Sequence, residues 1–295
     1  MNSATPEAGK FADTAFGRIE YLDRGQGLPV LVVHGSPGGH DQGSLMADFL
    51  VAAGLRAIIP SRPGYLGSEL NEANRSIDGT ADALAALMAG LGIDNFAVLC
   101  WSGGGPSSYR LAVRHGDKLT ALVALAAVSQ RYEWRPGADD RFMFGSALGN
   151  WILKIMSEHA QRALVSATLG AEGDLPKAEL EALVAEVWAD EAKRRFVLDL
   201  AGTVSWRGAR KPGLDNDRAN FAAIGDLELE HIAVPTLLVQ GRVDTDVLPQ
   251  HSEFAAARIP GAVLQWVERG GHLAAFTDHD SAAIQARIVE FLQRA

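Results

Sequence analysis

The chain has 295 residues, 47% of them apolar, and 27 Lys and Arg against 36 Asp and Glu, a formal net charge of −9. That apolar content excludes a disordered chain, and acidic residues scattered without a basic patch exclude nucleic acid as a partner. A single cysteine, Cys100, excludes an intramolecular disulfide and fits a reducing, cytoplasmic setting.

Met1 to Lys10 is small and polar, with no basic segment leading into an apolar run, so no secretory signal is expected. No later stretch long enough to span a bilayer lacks charges or breakers, so no membrane partner is expected either. Gly17 to Leu22 reads as an early strand that turns at Asp23-Arg24-Gly25. Pro29 to Val33 (PVLVV), Leu55 to Ile59 (LRAII) and Asn95 to Cys100 (NFAVLC) are continuous apolar runs. Continuous rather than alternating apolarity marks strands covered on both faces. Leu119 to Val128, Val234 to Val239 and Ala262 to Val267 extend the series. Helical periodicity occupies Leu45 to Ala53, Thr80 to Leu91, Pro106 to His115 and a closing helix from Ser281 to Gln293. This alternation predicts an α/β fold with a parallel sheet. The rhythm breaks between about Gln130 and Asp226, where helical patterns around Trp151–Met156 and Lys177–Trp188 accompany four of the six tryptophans. A helical cap insertion over 130–226 is therefore expected, with residues 1–129 and 227–295 forming one core domain.

Cys100-Trp101-Ser102-Gly103-Gly104 falls between a buried strand and a helix. A sharp turn in that context exposes a serine as a nucleophile, and the residues two before and two after must be small. Taken alone, the pentapeptide also describes an ordinary turn with a serine N-cap. A serine nucleophile needs an adjacent base, and the base an orienting carboxylate. Of the eight histidines, His272 alone follows a strand through a glycine turn, Arg269-Gly270-Gly271, and so opens on the same sheet edge as Ser102. Asp244 and Asp246 both follow the strand that ends at Val239-Gln240-Gly241, and spacing does not choose between them. The loop His34-Gly35-Ser36-Pro37-Gly38-Gly39 can aim the backbone N–H of Ser36 at the point faced by the N–H of Gly103, an oxyanion hole. No Lys-Ser/Thr follows it, as a phosphate loop requires, and Pro37 removes a donor. No CxxC, HExxH or dinucleotide motif calls for a metal or an organic cofactor. Trp101, Trp134, Phe144 and Trp151 are candidates to line an apolar substrate pocket; the competing reading makes the insertion's aromatics its own core.

Together these motifs resemble the α/β-hydrolase superfamily. The order Ser102, Asp244, His272 matches its serine–acid–histidine order, HGSPGG looks like its HGxPG loop, and VERGGHLAAF resembles its terminal GGH segment. Ser61 to Ser68 (SRPGYLGS) is similar to its D-x-R-G-x-G-x-S loop, with Ser61 where aspartate is usual, and Cys100 replaces the first glycine of the elbow. GRVDTDVLP is similar to the G-x-x-D loop, and that likeness selects Asp244. The resemblance implies an eight-stranded, mostly parallel sheet with helices on both faces and a helical cap. It also implies a serine hydrolase acting through an acyl-enzyme but names no substrate; the large apolar side chains of the insertion make a small hydrophobic carboxylic ester the expected small-molecule substrate. Serine as nucleophile sets the chain apart from dehalogenases and epoxide hydrolases, which use aspartate, and Gly103 from cofactor-free haloperoxidases, which carry methionine there. The constellation also resembles proline iminopeptidases and carbon–carbon bond hydrolases. An aminopeptidase would need an acidic group in the insertion, for which Glu133, Asp139 and Asp140 are candidates. A ligand receptor on the same scaffold is the non-catalytic alternative.

Overall fold

The computed structural model describes residues 8–294; residues 1–7, most of the segment read as lacking a secretory signal, lie outside them. Eight strands form one sheet: β1 (Lys10–Thr14), β2 (Gly17–Arg24), β3 (Pro29–Val33), β4 (Arg56–Pro60), β5 (Phe96–Trp101), β6 (Leu119–Leu125), β7 (Thr236–Gly241) and β8 (Val263–Val267). Their order is β1-β2-β4-β3-β5-β6-β7-β8. The β1–β2 and β2–β4 pairs are antiparallel, and every pair from β4 to β8 is parallel.

Twelve helices occur among the described residues. Three precede β6: α1 (His40–Ala52), α2 (Ile77–Gly90) and α3 (Gly105–Arg114). Six lie between β6 and β7: α4 (Ala138–Gly145), α5 (Ala147–His159), α6 (Gln161–Ala171), α7 (Lys177–Ala189), α8 (Glu191–Ala201) and α9 (Lys211–Ala222). The last three are α10 (Gln250–Arg258), α11 (Ala274–Thr277) and α12 (Ser281–Arg294). The continuous apolar runs become central strands because both faces are covered. Val30, Val32, Ile59, Leu99, Val123 and Val239 join a core with Met46 of α1 and Ile284 of α12. Their neighbours Leu31, Val33, Ile58, Val98, Leu122 and Leu238 join a second core with Leu84 of α2, Leu111 of α3 and Ala255 of α10. Successive strand residues thus feed opposite cores, as the period of two requires.

Two elements escape periodicity. Strand β1 is a five-residue edge strand, KFADT, largely exposed and paired only with β2, so no apolar run announces it. Helix α1 begins at His40, five residues before its apolar pattern, because its first turns bury Gln42 and Gly43 against the sheet. Where apolar signal is lacking, capping chemistry marks the start: Ser76 Oγ accepts from the N–H of Gly79 at 2.9 Å and opens α2.

Helix α9, the last of the six-helix segment, packs down on the loop after β4. A Cβ at Gly213 would lie 2.3 Å from the Tyr65 ring, so the approach requires glycine. One turn on, the Asp217 carboxylate receives the Arg62 guanidinium at 2.7 and 2.8 Å and the hydroxyls of Tyr65 and Ser36, each at 2.5 Å. Arg62 and Asp217 are 3% and 5% exposed, so neither charge has water to fall back on. Removing one partner of such a buried pair typically costs about 3–5 kcal/mol. Asp217→Ala is therefore expected to lower the urea unfolding midpoint by that equivalent. Asp217→Asn, which keeps a carbonyl acceptor for Tyr65, should lose distinctly less.

Candidate active site

The parallel strands deliver their carboxyl ends to one edge, and the strand order reverses between β3 and β5, where ligands of open α/β sheets bind. Ser102 emerges there. It has φ +52, an uncommon value for a residue with a side chain, and opens a single 3-10 turn, Ser102–Gly104, that runs into α3. A Cβ at Gly104 would sit 2.7 and 2.8 Å from the carbonyl oxygens of His34 and Val33, so the elbow is pressed against the end of β3. Cys100 is fully buried, and burial pushes its thiol up to about 12, which leaves it a small apolar filler rather than a nucleophile. As a first-turn group, the N–H of Gly103 has no partner within its own helix.

The loop after β3 is clamped from several sides. Gln42 accepts from the N–H of Gly35 at 2.9 Å through Oε1 and donates through Nε2 to the Pro37 carbonyl at 2.9 Å and to Thr203 Oγ1 at 3.1 Å. Arg62 donates to the Gly35 carbonyl at 2.9 Å and to Ser36 Oγ at 2.8 Å. His34 is buried with Nε2 accepting the N–H of Arg62 at 2.9 Å, which leaves Nδ1 as donor to the Gly35 carbonyl at 2.7 Å. Burial, reinforced by Arg62, keeps this ring neutral, its pKa pushed well below the ordinary histidine value. A Cβ at Gly103 would meet Ser36 Oγ at 2.1 Å and Phe221 Cζ at 3.1 Å, so the Ser36 loop and the elbow are in direct contact.

On the other side, His272 and Asp244 are buried together, with Nδ1 and Oδ2 2.9 Å apart. Oδ2 of Asp244 also accepts from Gln240 Nε2 at 3.0 Å, and Oδ1 from the N–H groups of Asp246 and Val247 at 2.9 and 3.0 Å. The acid is fixed in one orientation by four donors. Trp101, next to Ser102, lies against the imidazole with ring centroids 5.1 Å apart, and its Nε1 reaches the His272 carbonyl at 3.4 Å. Asp246 reaches the other edge of the ring: its Oδ2 faces Nε2 of His272 at 3.4 Å, and Tyr132 donates to its Oδ1 at 2.9 Å. Nε2 is buried and makes no hydrogen bond among the described residues.

Glu172, which ends α6, is the acid that neither motif nor periodicity picks out. Its carboxylate, that of Asp246 and a ring nitrogen of His272 lie within 4.8 Å of one another. Burial would push His272 down, but Asp244, Asp246 and Glu172 outweigh it and raise its pKa to about 10. The carboxylates therefore face a ring that readily holds a proton.

Arg62, Gln42 and Asp217 are likewise absent from the sequence reading. Arg62 lies in the loop segment that carried a resemblance, whereas Asp217 sits within a helix and Glu172 just past the end of one, with no distinguishing pattern. Two of the insertion's aromatics pack on a third, as the reading that makes them the insertion's own core requires. Trp134 and Phe144 pack on Trp206, with centroids 4.5 and 5.6 Å apart, and Arg218 lies over both Trp134 and Trp206. Trp151 is 58% exposed. Of the acids considered for an amine, Glu133 pairs at the surface with Arg131 and Arg135 at 2.7 and 2.5 Å, Asp140 caps α4, and Asp139 is exposed.

A model of the α/β hydrolase fold family matches residues 29–279. An α/β hydrolase fold protein from Nakamurella multipartita is 48% identical, with a TM-score of 0.94 over 97% of this chain and 99% of that one. An uncharacterised hydrolase, YcgS, of Bacillus subtilis is 28% identical over 87% of this chain and 89% of its own length. The 2-hydroxymuconate semialdehyde hydrolase of Pseudomonas putida is 26% identical over 99% and 96%. The sheet, the elbow at its switch point and a family match across most of the length agree, and the chain belongs to the α/β-hydrolase family.

Proposed function

We propose that this hydrolase cleaves small, uncharged, hydrophobic carboxylic esters with Ser102 as nucleophile, His272 as base and Asp244 as the orienting acid. The observation that carries the reading is the serine at φ +52 at the switch point of the sheet, on the same edge as a buried His272–Asp244 pair. Ser102 Oγ attacks the carbonyl carbon while Nε2 of His272 takes its proton. Asp244 holds the ring tautomer and stabilises the imidazolium. The N–H groups of Ser36 and Gly103 receive the oxyanion; each such donor is worth about 3–4 kcal/mol. The imidazolium then protonates the departing alkoxide as the C–O bond breaks. Water repeats the sequence on the acyl-enzyme, releasing the acid and restoring Ser102.

The insertion acts as a cap in this reading. Ser102 is 5% exposed beneath it, and Trp101 and Phe221 supply apolar surface beside the elbow, which favours short acyl groups. Each methylene accommodated adds about 0.8 kcal/mol until the space is filled. A second reading, a carbon–carbon bond hydrolase, is favoured by the likeness to the 2-hydroxymuconate semialdehyde hydrolase over nearly the whole chain.

Three outcomes are expected. Intact-mass spectrometry after an organophosphonate should show one adduct on Ser102, and Ser102→Ala should lose at least about three orders of magnitude in turnover without unfolding; an adduct elsewhere, or an active variant, contradicts the assignment. Asp244→Asn should cost about three to four orders of magnitude through the wrong tautomer, and Asp246→Asn less than about one; the reverse ranking would make Asp246 the triad acid. Rates on p-nitrophenyl esters from acetate to decanoate should rise over the shortest acyl chains and then fall. Faster turnover of a ring-cleavage diketone than of every ester would favour the second reading instead, and a flat profile would remove the acyl pocket.

A further inference from the structure

Between α6 and α7 the chain is laid directly on the two loops that carry Asp244 and His272. Gly173 forms a β-bridge with Asp244, and the N–H of Asp174 donates to the Val243 carbonyl at 2.9 Å. Thr245 Oγ1 donates to the Ala171 carbonyl at 2.8 Å, and the N–H of His272 to the Glu172 carbonyl at 2.7 Å. A Cβ at Gly271 would lie 2.4 Å from that same carbonyl oxygen, so only glycine permits the contact. The backbone thus delivers the Glu172 side chain to His272. Glu172 Oε2 and His272 Nε2 are both buried, and neither has a hydrogen-bond partner among the described residues.

We propose that Glu172 is a positioning residue for the base: carried by the insertion, it faces the Nε2 edge of His272 beside Asp246 and competes with Ser102 for that edge. This rests on the reading of His272 as the base. The ring meets Asp244 at Nδ1 and Asp246 at Nε2, and the Glu172 carboxylate lies within 4.8 Å of that of Asp246 and of a ring nitrogen. Around these, Tyr132 donates to Asp246, Asp140 of α4 acts on Glu172, and His251 of α10 faces Asp244 while accepting the N–H of Ser129. Burial pushes Glu172 up, with Asp246 and Asp244 adding to it, while the same carboxylates raise His272. The two groups therefore compete for a proton. With the proton on Nε2, His272 cannot accept one from Ser102; with it on Glu172, or lost to solvent, the base is competent. Activity consequently rises with pH through a limb above the ordinary histidine value. Removing the Glu172 charge weakens the ring's hold on its proton and moves that limb down.

The test is kcat/KM for p-nitrophenyl acetate from about pH 5 to about pH 10, in wild type, Glu172→Gln and Glu172→Asp. Glu172→Gln should move the acid limb down by about one unit. That is about tenfold more activity, relative to its own plateau, at a pH below both limbs. Glu172→Asp should restore most of the wild-type limb. NMR titration of the His272 imidazole in Ser102→Ala protein, with and without Glu172→Gln, should show the same displacement. Because it needs no turnover, it decides the proposal even where esters prove not to be substrates. A limb and an imidazole titration that Glu172→Gln leaves in place, in protein with the wild-type melting temperature, overturn it. Should that variant not fold, the Ser102→Ala titration stands by itself: an imidazole titrating at or below about 6.5 overturns the proposal.

Discussion

A serine held at a positive φ stays there only because everything around it leaves no other place. The conformation costs about 1–3 kcal/mol, and the surrounding packing supplies the restraint. At Ser102 the restraint comes from three directions. Cys100 and the rest of β5 are fully buried between β3 and β6, Gly104 is pressed on the carbonyls that end β3, and the 3-10 turn feeds straight into α3. Relaxing the turn would shift either a central strand or a helix packed on both neighbours. The placement of the Ser102 hydroxyl at the sheet edge is a consequence of sheet packing, not of local preference.

The same logic extends to the loop that faces the elbow. A glycine-rich loop has no stiffness of its own, and here it is provided from outside. Gln42 of α1 holds its first and middle peptide groups, while Arg62 reaches the Gly35 carbonyl and the Ser36 hydroxyl. Arg62 would be costly to bury alone; Asp217 neutralises it, and Tyr65 and Ser36 also donate to the same carboxylate. Because Asp217 lies on α9, the geometry of the Ser36 loop depends on how the last helix before β7 docks.

A second attachment joins the helical segment to the site. The stretch 171–174 bonds to the loops of both Asp244 and His272, so the helices between β6 and β7 are fastened to each half of the candidate constellation. One fastening, through Asp217, is a fully satisfied buried ion pair. The other leaves Glu172 Oε2 and His272 Nε2 without hydrogen bonds.

Sequence alone determined the features that rest on local pattern. Runs such as PVLVV and NFAVLC must be strands covered on both faces, and CWSGG between a strand and a helix must be a tight turn. A histidine after a glycine turn at a strand's carboxyl end, and an acid in the loop after Gly241, follow from the same rhythm, while only the likeness to the family's G-x-x-D loop singled out Asp244. What escaped it had no local signature. Strand β1 is recognisable only by its pairing with β2, and α1 begins in polar residues that the sheet buries. Spacing could not separate Asp244 from Asp246, because one loop brings both to opposite edges of the same ring. Composition could not say whether Trp134 and Phe144 face a substrate or each other's neighbour Trp206. Glu172, at the end of α6, and Asp217, within α9, are ordinary acids until tertiary structure brings each against a partner far off in the chain. Burial gives them their chemistry, since a charge without water is governed by the few groups that touch it, and those groups are chosen by the fold.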